Sequence, residues 1–234
     1  MASIASSSTS VSSSILDYEI ENGRTYHRYK DGKYLFPNDG WENDRLGLQH
    51  NLFILRFDNR LANAPPNQPG FNVRNVLDVG TGSGIWAIDF GEEHPEAEVR
   101  GVDLSPTQPE FVPPNVRFEV DDIEQPWMYS QPFDYIHSRM MNSATKDRKT
   151  YIQTCFDNLR PGGYLESNEA DVIPSSDDGT LKPDSAIARS AQILKDASVI
   201  AGRPFQDIIA LQDIIIEVGF EDVHRQLYKW PTNA

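Results

Sequence analysis

The chain has 234 residues, a formal net charge of −14, 38% hydrophobic residues and a mean hydropathy of −0.52. That length suits one sizeable domain with a buried core. The acidic balance, with no cluster of Lys and Arg, argues against a nucleic-acid surface, and no apolar run approaches the length of a membrane span. The partners it fits are small molecules or basic proteins.

Residues 1–15, beginning MASIASSSTSVSSS, lack the basic start and apolar stretch of a signal peptide, and their serine density predicts a disordered tail. Residues 16–64 read as an N-terminal arm. Its first part is rich in aromatics and turn residues without a sustained period. Its second part places Leu46, Leu48, Leu52, Phe53, Leu55 and Phe57 near a helical period, with Asn43 or Asp44 as the cap. Three prolines and a glycine then predict a linker over residues 65–73.

From residue 74 to 234 short apolar strands alternate with helical patterns. NVLDVG, EVRGVDL, NVRFEVDD, FDYIHS and GYLESNE are the strand candidates, and helices fit 85–93, 147–159, 185–202 and 206–218. This alternation predicts an α/β fold with a doubly wound, mostly parallel sheet. Gly219 reads as a helix stop followed by another strand, DVHRQLYKW. The single cysteine, Cys155, excludes an intramolecular disulfide and a Cys-rich zinc site; it reads as a small buried hydrophobe in a reducing compartment. The acidic run SSDDGT at 175–180 lacks the spaced ligands of a calcium loop and predicts a surface turn, so no metal is expected.

The chemistry concentrates in NVLDVGTGSGIWAIDF. In parallel sheets ligands bind beyond the carboxyl ends of the strands, so this first glycine turn faces the ligand. Its glycines, Gly80, Gly82 and Gly84, follow G-x-G-x-G, whereas the dinucleotide fingerprint is G-x-G-x-x-G and a phosphate loop needs Gly-Lys-Ser/Thr. Asp78, ending that strand, would repel a pyrophosphate and favour a cation. Asp103 ends the second strand, where a carboxylate can take both ribose hydroxyls, and the VDD at 120–122 ends the third, where an adenine amine could be read. A cationic amino acid joined to adenosine without phosphates describes S-adenosylmethionine.

On these residues the sequence resembles class I S-adenosylmethionine-dependent methyltransferases, and more narrowly the fungal family that contains the velvet-complex regulator of secondary metabolism. The segments YHRYKDGKYLFPNDGWENDRLGLQHNLF, GVDLSPTQPEFVPPNVRFEVDDIEQPW, LRPGGYLESNEADVIPSSDDGTL and GFEDVHRQLYKWP carry the narrower likeness, which runs from Tyr18 to Pro231. The resemblance implies a Rossmann-like sheet with helices on both faces. It also implies that Asp78, Gly80, Thr81, Gly82 and Gly84 surround the methionine and ribose, that Asp103 and Leu104 hold the ribose and flank the adenine, and that Asp122 and Ile123 meet the adenine amine. His137 would lie beside the sulfonium. The arm helix with Arg45, Gln49 and His50 would lean over the pocket, with Tyr26, Tyr29 and Tyr34.

Methyl transfer from a sulfonium needs a base only where the acceptor must lose a proton. The candidates are His137 first, then Glu169 and His50. The expected activity is methylation of a small molecule of specialised metabolism in the cytoplasm. A second reading is a cofactor-binding regulator working through protein partners in the nucleus, and a third is non-methylating chemistry on the same scaffold. If DVHRQLYKW is the sixth strand, the seventh strand of the class is missing, and a homodimer joined by strand addition would bury the open sheet edge.

Overall fold

The computed structural model describes residues 17–30, 32–68 and 70–231. The predicted Ser-rich tail, residues 1–15, lies outside them. The arm opens with a β-hairpin, β1 (Tyr18–Glu21) and β2 (Arg24–His27), paired antiparallel with Tyr18 opposite His27. Asn22 (φ 50°) and Gly23 (φ 79°) make the two-residue turn that an Asn-Gly pair favours because both positions need positive φ. Helix α1 spans Gly40–Arg56 and starts earlier than the sequence predicts. Its cap is Asp39, whose carboxylate accepts the Glu42 N–H at 3.0 Å, not Asn43 or Asp44. The same Asp39 pairs with Arg24, tying the hairpin to the helix start; Arg24 Nη2 donates at 2.9 Å.

The segment after α1 is part of the body. Leu61, Ala62, Pro66 and Val73 are buried, and the N–H groups of Asn63 and Ala64 donate to the Glu166 carboxylate at 2.9 and 2.7 Å.

The five predicted strands of the main sheet all form: β3 (Asn75–Val79), β4 (Glu98–Asp103), β5 (Val116–Val120), β6 (Phe133–Arg139) and β7 (Leu159–Asn168). All pair in parallel, in the order β5-β4-β3-β6-β7. The order reverses at β3, so the β3 turn sits at the topological switch point, where ligands of open α/β sheets bind. The helices are α2 (Ile85–Glu93), α3 (Arg148–Asp157), α4 (Ala186–Ile200) and α5 (Leu211–Val218). The last is shorter than predicted. The Pro-Gly-Gly turn bulges out of β7, whose pairing with β6 jumps from Leu159 to Tyr164.

Two cores cover the sheet's faces, as period-two strands require. Val76 and Tyr135 pack with Trp86 and Phe90 of α2, while Leu77, Val79 and Ile136 pack with Tyr151 and Ile152 of α3 and Leu211 of α5. Asp78 and His137 share the α2 side and are direct cross-strand partners.

One strand expectation fails. Residues 220–231 form no strand and do not enter the sheet, so among the described residues neither a sixth nor a seventh strand forms and β7 is the edge on that side. The reason is a stronger alternative. Trp230 packs edge-on against Phe53 at 4.9 Å, and Tyr228 packs on Phe57 at 5.2 Å with Arg56 over its ring. These aromatics, half-buried at Tyr228 and 37% exposed at Trp230, pack on the C-terminal end of α1 and on Phe57 rather than extend the sheet.

Candidate active site

Three strand-end carboxylates converge at the carboxyl edge, each on a different partner. Asp78 on β3 is 3% exposed and turned inward: Oδ1 accepts from His137 Nδ1 at 2.8 Å and Oδ2 from the Thr81 hydroxyl at 2.6 Å. Asp103 on β4 accepts the Gly82 N–H at 2.9 Å and the Ser105 N–H at 3.0 Å, which locks the glycine turn to the second strand. Burial pushes its carboxyl up, against the opposing pull of the Ser105, Gly82 and Leu104 amides. Asp122, just past β5, is paired with Lys33 of the arm. Lys33 also reaches Glu124 at 3.1 Å, and Glu124 is held by Arg203 at 2.9 Å from the α4–α5 connection.

The glycine turn is shaped by close approach. At Gly80 (φ 68°) a Cβ would lie 2.4 Å from the Met141 sulfur, so only glycine admits that side chain over the turn. Gly84 (φ 80°) does a different job. A Cβ there would meet the Phe118 ring at 2.4 Å, so this glycine admits a packing ring from β5 as well as starting α2.

The expected residues therefore separate into groups. Gly80 and Gly82, Asp103 and Leu104, and Asp122 and Ile123 lie at the carboxyl ends of the adjacent strands β3, β4 and β5, whereas Asp78 and Thr81 bond to each other. His137 points to the α2 side of the sheet, toward Asp78 and Trp86. It is 1% exposed, stacked on Trp86 at 3.7 Å, and its Nε2 meets Asn168 Nδ2 at 3.3 Å, so both ring nitrogens are committed. His50, also 1% exposed, lies between Asp89 and Arg139. Of the arm residues, Tyr34 is half-buried, and desolvation, with Asp103 and Glu42 nearby, pushes its hydroxyl up. Arg45 pairs with Glu42 at 2.6 Å, and Leu46 lies over Gly82.

Glu169 lies one residue beyond β7. Its side chain is 6% exposed, Oε1 accepts the Met141 N–H at 3.2 Å, and Oε2 is buried without a partner. Burial raises it from 4.5 to about 7, opposed by Arg148, whose guanidinium lies 3.9 Å away, and by the Met141 and Asn142 amides. Met141 thus links this carboxyl to the glycine turn. Met140, in the same loop, holds φ 59°, an uncommon conformation for a side-chain-bearing residue. Lys33, Glu124 and Arg203 lie in loops and Arg139 at the end of β6, and a single charge at such a position carries no period or spacing that marks it in the sequence.

The donor set fits S-adenosylmethionine. Asp103 presents a carboxylate where ribose hydroxyls are expected and Asp122 one where an exocyclic amine is expected, and the turn residues Gly80, Gly82 and Gly84 carry no side chains of their own. Among the described residues no cluster of His, Cys, Asp and Glu could hold a metal ion, and no helix is long and apolar enough to cross a membrane.

Comparison with known proteins gives the same class. Residues 48–225 match a family described as a methyltransferase domain. The chain is 43% identical over 230 residues to the methyltransferase pytC of Aspergillus terreus, covering 98% of this chain and 70% of that protein. It is 38% identical over 219 residues to the secondary metabolism regulator LAE1 of Cochliobolus heterostrophus, covering 92% and 71%. Among solved structures, phosphoethanolamine N-methyltransferase 2 of Haemonchus contortus superposes with a TM-score of 0.51 at 22% identity, over 74% of this chain and 37% of that one, and shares the fold. The chain belongs to this family of methyltransferase domains, and its fold is that of the S-adenosylmethionine-dependent methyltransferases.

Proposed function

We propose that this methyltransferase uses S-adenosylmethionine to methylate a small molecule of fungal specialised metabolism. The observation that supports the reading best is the pair Asp103 and Asp122 at the ends of the successive strands β4 and β5, beside a turn that holds a positive-φ glycine at residue 80. When bound there, the cofactor supplies an electrophilic methyl with a neutral thioether as leaving group. This chain's residues do the rest. Asp103 and Asp122 fix the adenosine, the Gly80–Gly84 turn admits the amino-acid end against backbone, and α1 with Tyr34 and Leu46 excludes water. Glu169 takes the acceptor's proton where one must leave; a carboxyl near neutrality is suited to that role. His137 and His50 act as positioning groups, since their ring nitrogens are occupied. The protein works as a cytoplasmic enzyme in this reading.

Likeness to LAE1 supports a second reading, a regulator acting through protein partners. The experiment is calorimetric titration with S-adenosylmethionine and S-adenosylhomocysteine, repeated with Asp103→Ala, followed by turnover of the isolated protein on extracted fungal metabolites. Binding abolished by the substitution, with methyl incorporation, is the expected result. Binding without incorporation favours the regulator, and no binding by the folded chain overturns both.

A further inference from the structure

Arg139 ends β6, the strand beside β3 on the side away from β4 and β5. Its guanidinium lies 4.9 Å over the Phe53 ring, and Nη2 donates to His50 Nδ1 at 3.2 Å. Because arginine only donates, His50 Nδ1 must be the acceptor, and its proton is on Nε2, which donates to Asp89 Oδ2 at 2.9 Å. Asp89, His50 and Phe53 therefore fix the guanidinium, with one face on an aromatic ring and one N–H used. Among the described residues no carboxylate lies within 4 Å of it, although Arg24, Arg45, Arg100, Arg148, Arg160 and Arg203 all have one. The charged groups that face it are Asp78 from β3 and Asp89 from α2, and burial lowers its proton affinity. A half-buried, pre-oriented guanidinium with free N–H groups and no anion of its own is a binding element for a planar oxyanion.

Topology separates this element from the cofactor. Asp103 and Asp122 lie at the β4 and β5 ends, whereas Arg139 lies on the β6–β7 half, the half that also carries Glu169. We propose that Arg139 anchors a carboxylate on the methyl acceptor, so that this enzyme selects an acidic small molecule, with His50 and Asp89 as the positioning relay. The inference rests on the methyl-transfer reading above. It names the substrate class for the same site.

The test titrates protein loaded with S-adenosylhomocysteine with benzoate and with benzamide, which differ in charge and not in shape. In parallel, free protein is titrated with S-adenosylhomocysteine and with 5′-methylthioadenosine, which lacks the amino-acid end. Wild type should bind benzoate at least tenfold more tightly than benzamide. Arg139→Gln should remove that preference while keeping the ratio of S-adenosylhomocysteine to methylthioadenosine affinities within twofold. Arg139→Lys should retain part of the preference, and His50→Phe should weaken benzoate several-fold with Arg139 intact. Equal binding of benzoate and benzamide by wild type overturns the proposal. So does a collapse of the S-adenosylhomocysteine preference in Arg139→Gln, which would assign the residue to the cofactor's own carboxylate. Failure of wild type to bind S-adenosylhomocysteine would sink the underlying reading instead, and the two failures are distinct.

Discussion

Glu169→Gln tests the buried carboxyl through stability as well as rate. The side chain is 6% exposed, and burial raises it from 4.5 to about 7. A group whose folded-state value is raised contributes stability that is fully present below the unfolded value and is lost as pH climbs through the folded one. The window here runs from 4.5 to about 7. At about 1.4 kcal/mol per unit the full difference is about 3 kcal/mol, of which roughly 2.5 develops between pH 5 and pH 8. Glutamine keeps an acceptor for the Met141 amide and cannot ionise. The stability of the variant relative to wild type should therefore rise by about 2.5 kcal/mol from pH 5 to pH 8. Arg148, 5% exposed and left with Asn142 as its partner, shifts the variant's curve down without adding slope, because it stays charged throughout. Urea denaturation at half-unit pH intervals reads the effect, with the exposed Asp171→Asn as control. Parallel curves for wild type and Glu169→Gln would refute the placement of this carboxyl in a desolvated site. If Glu169 is also the base, the variant's turnover falls and the ionisation near neutrality disappears from the rate profile.

Lys33→Met removes the cation that covers Asp122. Lys33 is 21% exposed and Asp122 2%, so the pair contributes about 1 kcal/mol, and Tm should fall by a few degrees while S-adenosylhomocysteine binds about fivefold more tightly. Weaker binding by calorimetry would instead place Lys33 in the liganded site. Gly80→Ala brings a Cβ to 2.4 Å from the Met141 sulfur at φ 68°, and thermal melts should show a loss of at least ~1–2 kcal/mol. Adding Met141→Ala should return the steric part and leave the backbone strain; no recovery would mean the contact is not the cause. Trp230→Ala deletes the edge-on contact with Phe53, which should lower stability by about 1–2 kcal/mol and speed proteolysis of α1, whereas unchanged cleavage would show that the segment does not brace the helix.

The sheet was legible because its strands are short apolar runs with turn residues between them, and the ligand edge because the G-x-G-x-G turn and the acids at 78, 103 and 122 follow those runs directly. Legibility failed where tertiary contacts decide. The Asn22-Gly23 pair did mark a hairpin, but the flanking strands are only four residues long and do not stand out as periods. DVHRQLYKW has strand-like composition, yet Tyr228 and Trp230 find aromatic partners on α1. His137 reads as a base by position, and the alternation of β6, which points it at Asp78 and Trp86, is a tertiary pairing that its position in the sequence does not announce. Gly84 reads as a cofactor glycine and also makes room for Phe118, a contact between residues 34 positions apart in sequence that no local pattern announces.

The three strand-end acids imply an order of events. Asp78 is satisfied by His137 and Thr81, and Asp103 by backbone amides of the turn itself, so neither needs to move when adenosine arrives. Asp122 alone is neutralised by a long flexible side chain from the arm, and that cation must give way before an adenine amine can take its place. Glu124 does not let the arm go freely, because it binds Lys33 and Arg203 together; those two cations are among the causes holding its carboxyl down at about 2. With Asp122 on the adenine amine, as proposed above, cofactor entry is expected to loosen the arm at Lys33 and to leave the α4–α5 connection anchored through Arg203. Binding kinetics should show a salt-dependent step in wild type that Lys33→Met abolishes, since screening weakens the Lys33 pair more than the Arg203 pair, whose guanidinium is 1% exposed. A single salt-independent phase in both proteins would mean that the arm does not gate the site.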